Sequence, residues 1–370
     1  MRLTIGLVLG LLALTLVPGA ASAQSRLEAT PTFSVSQVYD DNLFATRSAP
    51  VADYIWRLSP RLGLGRHSAR LAIQGEYGFD AEIFREHSEL NSAAASHQGL
   101  LEIRWKPSPA VAATATGSYA NTHTAGALNT LTGLQIGRAD AHRLATSESI
   151  SRHLGALTEA KLEHSFAHER IEGLPDVTTQ TVVVGLERRR QGRGRARLRY
   201  AASRYVGVAT TMSHAVTLGW TAGLTRFAHF EFDAGPRRTG REVSPDVSVS
   251  LGRRFRKGGA DLSYVYSTTT VVGYPAPVTA DGVAATLRRQ LGPVSLAAVP
   301  AYFRVRSQGS EAKLPRMGLN VAWHLTRDVA LTVSHQYTLQ RGGLAPEDGP
   351  GTEIARNTFT VGLVAVPITR

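Results

Sequence analysis

From residue 24 onwards, apolar side chains recur at every second position and rarely at the spacing of a helix. Leu71, Ile73, Gly75, Tyr77, Phe79, Ala81 and Ile83 fall on one side of such a run. Arg70, Ala72, Gln74, Glu76, Gly78, Asp80 and Glu82 fall on the other. Leu101/Ile103/Trp105, Val182/Val184/Leu186, Leu262/Tyr264/Tyr266 and Phe359/Val361/Leu363/Ala365 repeat the pattern. Period 2 is the signature of strands whose two faces meet different surroundings. The chain is therefore read as all-β.

The first residues set the compartment. Arg2 precedes an apolar run over 5–17, Pro18 and Gly19 break it, and Ala21-Ser22-Ala23 offers a small-residue cleavage site. This is the layout of a secretory signal peptide, expected over 1–23. The run is too short to cross ~30 Å of hydrocarbon as a helix, and no later segment reaches 18 continuous apolar residues. An exported all-β chain is either a soluble protein with a packed core or a closed barrel, the only β-structure that a bilayer admits. Small and medium apolar residues on the outer faces favour the barrel. Residues 24–370 are thus expected to form one domain, a transmembrane antiparallel up-and-down β-barrel in the Gram-negative outer membrane.

The breaks give the strand count. Candidate strands begin near residues 32, 54, 70, 97, 111, 142, 158, 179, 195, 213, 226, 246, 261, 282, 294, 317, 329 and 357, which makes about 18. Each repeat leaves room for the ~9–11 residues of a tilted membrane strand. Connections after even strands are tight, for example 65–68, 106–109 and 326–328. Those after odd strands are expected to be longer, as at 40–52, 122–141, 172–177, 271–281 and 341–356. Short turns on one rim and long loops on the other are the pattern of outer-membrane barrels. Trp105, Trp220, Trp323 and Phe255 each stand before a short turn, where a lower aromatic girdle belongs. The longest loop, 122–141, is the expected lid or constriction.

Composition narrows the chemistry. There is no Cys, so no disulfide framework or thiolate metal site is expected. The 12 His are scattered; His164 and His168 share a strand face but are ~13 Å apart, too far to share a metal ion. No nucleophile elbow, phosphate loop or dinucleotide turn is present, so the chain is read as a non-enzyme without cofactor or metal. Its net charge of +12 comes with an export signal and no nucleic-acid motif, so nucleic acid is not an expected partner.

Arginine dominates the basic residues; Lys occurs only at 106, 161, 257 and 313. Arg195, Arg197 and Arg199 alternate with Ala196, Leu198 and Tyr200, so the three guanidiniums share a face. Arg at the lipid midplane costs roughly 2–4 kcal/mol, so that face is assigned to the lumen. Arg304 and Arg306 are assigned there by the same argument, as are Arg104 and Glu102, with Glu76, Asp80 and Glu82 opposing them. Two roles fit such rows: a path for anionic solute, or Arg–Glu pairs that stiffen the wall. The clusters Arg188-Arg189-Arg190, Arg253-Arg254 with Arg256-Lys257, and Arg288-Arg289 flank short turns, facing periplasmic water, headgroups or a partner.

The first strand ends in Val38-Tyr39-Asp40-Asp41-Asn42-Leu43-Phe44, and the next carries Ser59-Pro60. This opening resembles the β-barrel porin type of outer-membrane protein that accompanies exopolysaccharide and capsule export. In that family, Tyr-Asp-Asp-Asn-apolar closes strand one. One departure is the tail 364–370, which lacks the terminal Phe of the usual assembly signal. The resemblance implies a channel for an anionic exopolysaccharide, with periplasmic export components as partners. A diffusion porin for small anions and a structural barrel with a plugged lumen remain open alternatives. Membrane lipids and lipopolysaccharide are expected around the wall in each case.

Overall fold

The computed structural model describes residues 26–129, 132–190, 194–307, 309–344 and 352–366. The expected signal peptide and the tail 367–370 lie outside them. Eighteen strands follow one another. The first six are β1 (Arg26–Asp40), β2 (Asp53–His67), β3 (Leu71–Phe84), β4 (Ser92–Ser108), β5 (Val111–Thr122) and β6 (Ala141–His153). Next come β7 (Thr158–Ile171), β8 (Val177–Arg189), β9 (Gly194–Val206), β10 (Thr210–Gly223), β11 (Ala228–Thr239) and β12 (Glu242–Phe255). The last are β13 (Gly258–Val271), β14 (Tyr274–Leu291), β15 (Val294–Ser307), β16 (Ser310–His324), β17 (Val329–Gly342) and β18 (Glu353–Ala365).

Every strand pairs antiparallel with its neighbours in sequence, and β1 pairs with β18, closing the cylinder. The seam runs from Phe33↔Ala365 to Asp40↔Thr358. Closure leaves no free sheet edge, which is the condition for a β-structure in lipid.

Residues directly opposite in an antiparallel ladder point to the same side, so the register assigns the faces strand by strand. Exposed Leu62, Leu162, Leu198, Leu218, Leu251 and Leu287 belong to the outer face. A belt of this kind around the whole wall is unfavourable in water and suited to hydrocarbon. Trp105, Trp220, Trp323 and Phe255 all point outward at the short-turn rim.

Buried apolar residues gather inside the cylinder at its long-loop end. One cluster joins Leu134 to Val271, Val278, Val305, Ala312, Leu314 and Leu344. A second joins Ala125, Leu128, Ala141, Ile171 and Val272, and a third Val38, Leu43, Ile55 and Phe84. Nearer the short turns the inner wall is small and polar, as at Thr114, Thr116, Ser147, Ser149, Ser250 and Ser263.

The long loops span 41–52, 85–91, 123–140 and 343–352. The expected loop at 271–281 is instead a two-residue turn at Val272-Gly273, where Gly273 has φ +85. Pro275 and Pro277 are accommodated because they fall at the bulge between Thr269↔Val278 and Val271↔Tyr274, where the ladder requires no amide donor. Connections after β9 and β11 are also short, at 207–209 and 240–241. The alternation of short and long connections therefore holds for β1–β8 and the β17–β18 loop only.

Candidate functional site

The loop 123–140 turns into the lumen instead of standing above it. A short 3-10 helix, Ala125–Leu128, begins it, and Ala125 is fully buried. Asn129 fixes it to the β13–β14 turn: its Nδ2 donates to Val272 O at 3.4 Å, and its Oδ1 accepts the Val272 amide at 2.8 Å. Nδ2 also donates to Leu134 O at 3.1 Å, folding the loop on itself. Beyond Asn129, Leu134 enters the apolar cluster of β13–β16, and the Gln135 amide donates to Gln340 Oε1 of β17 at 2.8 Å. At the near wall the Arg143 guanidinium donates to Leu128 O at 3.2 Å. The loop thus crosses from β5–β6 to β13–β17 and narrows the channel.

Beside the crossing lies a cavity of about 580 Å³. Its cations are Arg57, Arg138, Arg316 and Arg356, and its acids are Asp40, Asp80 and Glu82. Arg57 donates from Nε and Nη2 to Glu82 Oε1 at 2.9 and 2.7 Å. Arg138, from the loop, lies 3.7 Å from the other Glu82 oxygen and stacks over Phe84 at 5.0 Å. Burial pulls the Arg138 guanidinium below its ordinary range, and Glu82 acts against that. Arg356 donates to both oxygens of Asp40, at 3.1 Å from Nε and 2.5 Å from Nη2. Asp80 accepts the Ser96 hydroxyl at 2.6 Å. The guanidinium of Arg316 packs where a Cβ on Gly133 would stand, and Gly133 has φ +71. A glycine is required there twice over, by conformation and by space.

The structure places Glu76, Asp80, Glu82, Glu102, Arg104, Arg195, Arg197 and Arg199 on the inner face. They do not form one site. Arg61 lies 3.6 Å from Glu76, and Arg104 2.5 Å from Glu102. Arg195 meets Glu187 at 3.1 Å, and Arg197 meets both Glu231 and Asp233 at 2.5 Å. Arg199 makes no close ion pair among the described residues; it acts on Asp233 through space and lines a hollow with Glu163 and Glu187. Most of these groups are paired across the wall.

Arg304 and Arg306 face outward, which corrects the sequence assignment. Arg304 stands opposite Asp281 and donates to it at 2.6 Å, and Arg306 lies over Tyr266 at 5.7 Å. Their inward neighbours are Phe303 and the fully buried Val305. Arg304 lies ten residues above Val294, the lower end of β15. At ~3.3 Å per residue and ~45° of tilt this is roughly 23 Å up, the edge of a ~25 Å apolar band. There the cost of an outward Arg disappears, and the argument that sent both residues inward no longer applies.

The motif 39–44 forms the top of the seam. Asp40 holds Arg356, and Asp41 accepts the Asn357 amide at 2.6 Å and its Nδ2 at 2.7 Å. Asn42 donates to Ala355 O at 2.9 Å, Leu43 is buried beside Val38, and Phe44 packs on the same cluster. Tyr39 and Tyr54 touch on the outer face, with ring centroids 4.9 Å apart. Sequence reading missed Arg57, Arg138, Arg316 and Arg356. The strand period could have revealed Arg57, opposite Glu82, but Arg138 sits in a loop without periodicity.

No protein-family model matches the chain, and no curated protein sequence matches it. Among solved structures it is similar to Pseudomonas aeruginosa OpdL, with 10% identity over 92% of this chain and 99% of that one, at a TM-score of 0.50. Acinetobacter baumannii OccAB4 covers 94% and 100% at 7% identity and TM-score 0.49, and the Pseudomonas aeruginosa ferric enterobactin receptor 92% and 80% at 8% and 0.44. Outer-membrane porins and siderophore receptors make up these neighbours. At such identity the likeness is one of fold. The chain is a closed 18-stranded antiparallel β-barrel, a fold it shares with these outer-membrane structures.

Proposed function

We propose that this barrel sits in the outer membrane and passes small hydrophilic solutes, preferring anions. The crossing of the lumen by loop 123–140 carries this reading. The loop leaves a polar passage of about 580 Å³, the size of a small-molecule site, lined by four arginines against three carboxylates. Small anions would pass by exchanging water contacts for guanidinium contacts at several weak sites, without chemistry. The apolar packing of the loop on β13–β16 narrows the lumen, which supports small solutes over an extended polymer. No feature of the passage favours the exopolysaccharide reading.

Single-channel recording tests the proposal. A steadily open pore with a reversal potential displaced towards the anion supports it. A closed barrel, or a cation-preferring pore, overturns it.

A further inference from the structure

One carboxylate is out of place on the outer wall. Glu148 of β6 and His164 of β7 are register partners on the outer face, and Glu148 Oε2 lies 2.8 Å from His164 Nδ1. Their neighbours on either side, Ala115 of β5 and Val182 of β8, point outward with them, while Ser149 and Glu163 point into the lumen. Glu148 is five residues above His153, the lower end of β6, or roughly 12 Å, near mid-height of the apolar band. The other outward carboxylates among the described residues, Asp281, Glu311 and Glu353, stand ten or more residues above the short-turn ends of their strands. Both side chains are about half exposed, at 46% and 48%. Lipid offers neither group a further hydrogen bond, and ionisable groups facing hydrocarbon are costly.

On its β5 side the surrounding wall is low, whereas Ile150 and Leu162 stand out just below the pair. Gly99, Ala113, Ala115, Gly117 and Thr146 point outward beside the pair. A Cβ on Gly117 would meet no atom within 4 Å, so the fold of a single chain does not demand glycine there. Bulk is missing where a second surface could come close.

We propose that this patch, centred on Glu148 and His164, is covered by a second copy of the chain. An acid and a base lie side by side on one patch. The same patch on another copy, turned by half a turn about an axis along the barrel, sets the acid of each against the imidazole of the other. Both copies keep the same orientation in the membrane, as export requires. The inference rests on the membrane seat proposed above.

The chain has no Cys, so single thiols report contacts cleanly. Ala115→Cys, Gly117→Cys and Thr146→Cys are treated in intact outer membranes with a bismaleimide of short span. Ala285→Cys, an outward small residue on β14, serves as the control. The expected result is conversion of most of the β5–β6 variants to a product of twice the chain mass, while the control stays single. Mild-detergent extracts should show the same multiple mass, and Glu148→Leu with His164→Leu should reduce it to one chain. A single-chain mass together with no cross-link above the control overturns the interface, as does a product containing a different protein. A chain recovered from the aqueous fraction overturns the membrane seat instead, so the two failures are distinguishable. If the double variant does not fold, the cysteine series still decides.

Discussion

Asp40 and Arg356, 316 residues apart, meet across the seam of the barrel with the Arg356 Nη2 2.5 Å from Asp40 Oδ2. Asp40 is 2% exposed, and that guanidinium offsets the cost of burying its carboxylate. Arg356→Ala leaves a buried carboxylate without its guanidinium, held by the Asn42 amide, and breaking such a pair costs about 3–5 kcal/mol. The urea midpoint for loss of the heat-modifiable folded band should fall clearly, and less so for Arg356→Lys. An unchanged midpoint would show that the seam does not depend on this contact.

The constriction depends on Asn129. Asn129→Ala removes its three hydrogen bonds to Leu134 and Val272 and leaves the Val272 amide without a partner, a loss of about 1–3 kcal/mol. Single-channel traces should show higher conductance and more frequent fluctuation between levels. Traces identical to the parent would mean that Leu134 packing and the Gln135–Gln340 and Arg143–Leu128 contacts hold the loop without Asn129.

Selectivity should follow position in the wall. Arg138→Glu and Arg316→Glu place negative charge in the cavity beside the crossing loop, and the reversal potential should move towards cations. Arg304→Glu lies outside the barrel and should leave it in place. Reversing Arg195, Arg197 and Arg199 together tests the inner row nearer the short turns, and a smaller displacement is expected because two of the three are neutralised by Glu187, Glu231 and Asp233. Equal displacement by Arg304→Glu would contradict the register.

Acid should loosen the loop 85–91. Burial alone would raise the Asp53 carboxyl. The His87 ring and the amides of Glu86, His87 and Tyr54 outweigh burial and hold it below its ordinary 3.8. A carboxyl whose pKa is lower in the folded state stabilises the fold above ~3.8, and that contribution is lost as pH falls through the folded value. Proteolysis of the 85–91 loop should therefore rise below about pH 4 in the parent, whereas Asp53→Asn should show little change with pH. A flat profile in the parent would exclude this anchor.

The strand count and most inner-face residues were legible because the apolar belt writes period 2 into the sequence. Strands leaving short turns start where the spacing predicts, as at Val111, Thr158, Val294 and Val329. Starts after the other rim were placed late: β14 begins at Tyr274, not near Gly282, and β16 at Ser310, not near Met317. Above the belt the pattern inverts. Val278, Val305 and Leu314 turn inward to pack under the loops, while Arg304, Arg306 and Lys313 turn outward. Alternation alone does not say which face is dry, so the rule that reads the belt correctly misreads the rim. The seam motif was visible as a pattern, but its partners lie at the far end of the chain, where no local spacing points to them.

The loop 123–140 is tied at its far end by Asn129, Leu134 and Gln135 to a turn, an apolar patch and one glutamine. Under the proposed function, substitutions in this one tether can reshape the opening that cargo meets, while the cylinder that must survive export and insertion stays as it is. A lineage adapting to new nutrients would be expected to change this span first.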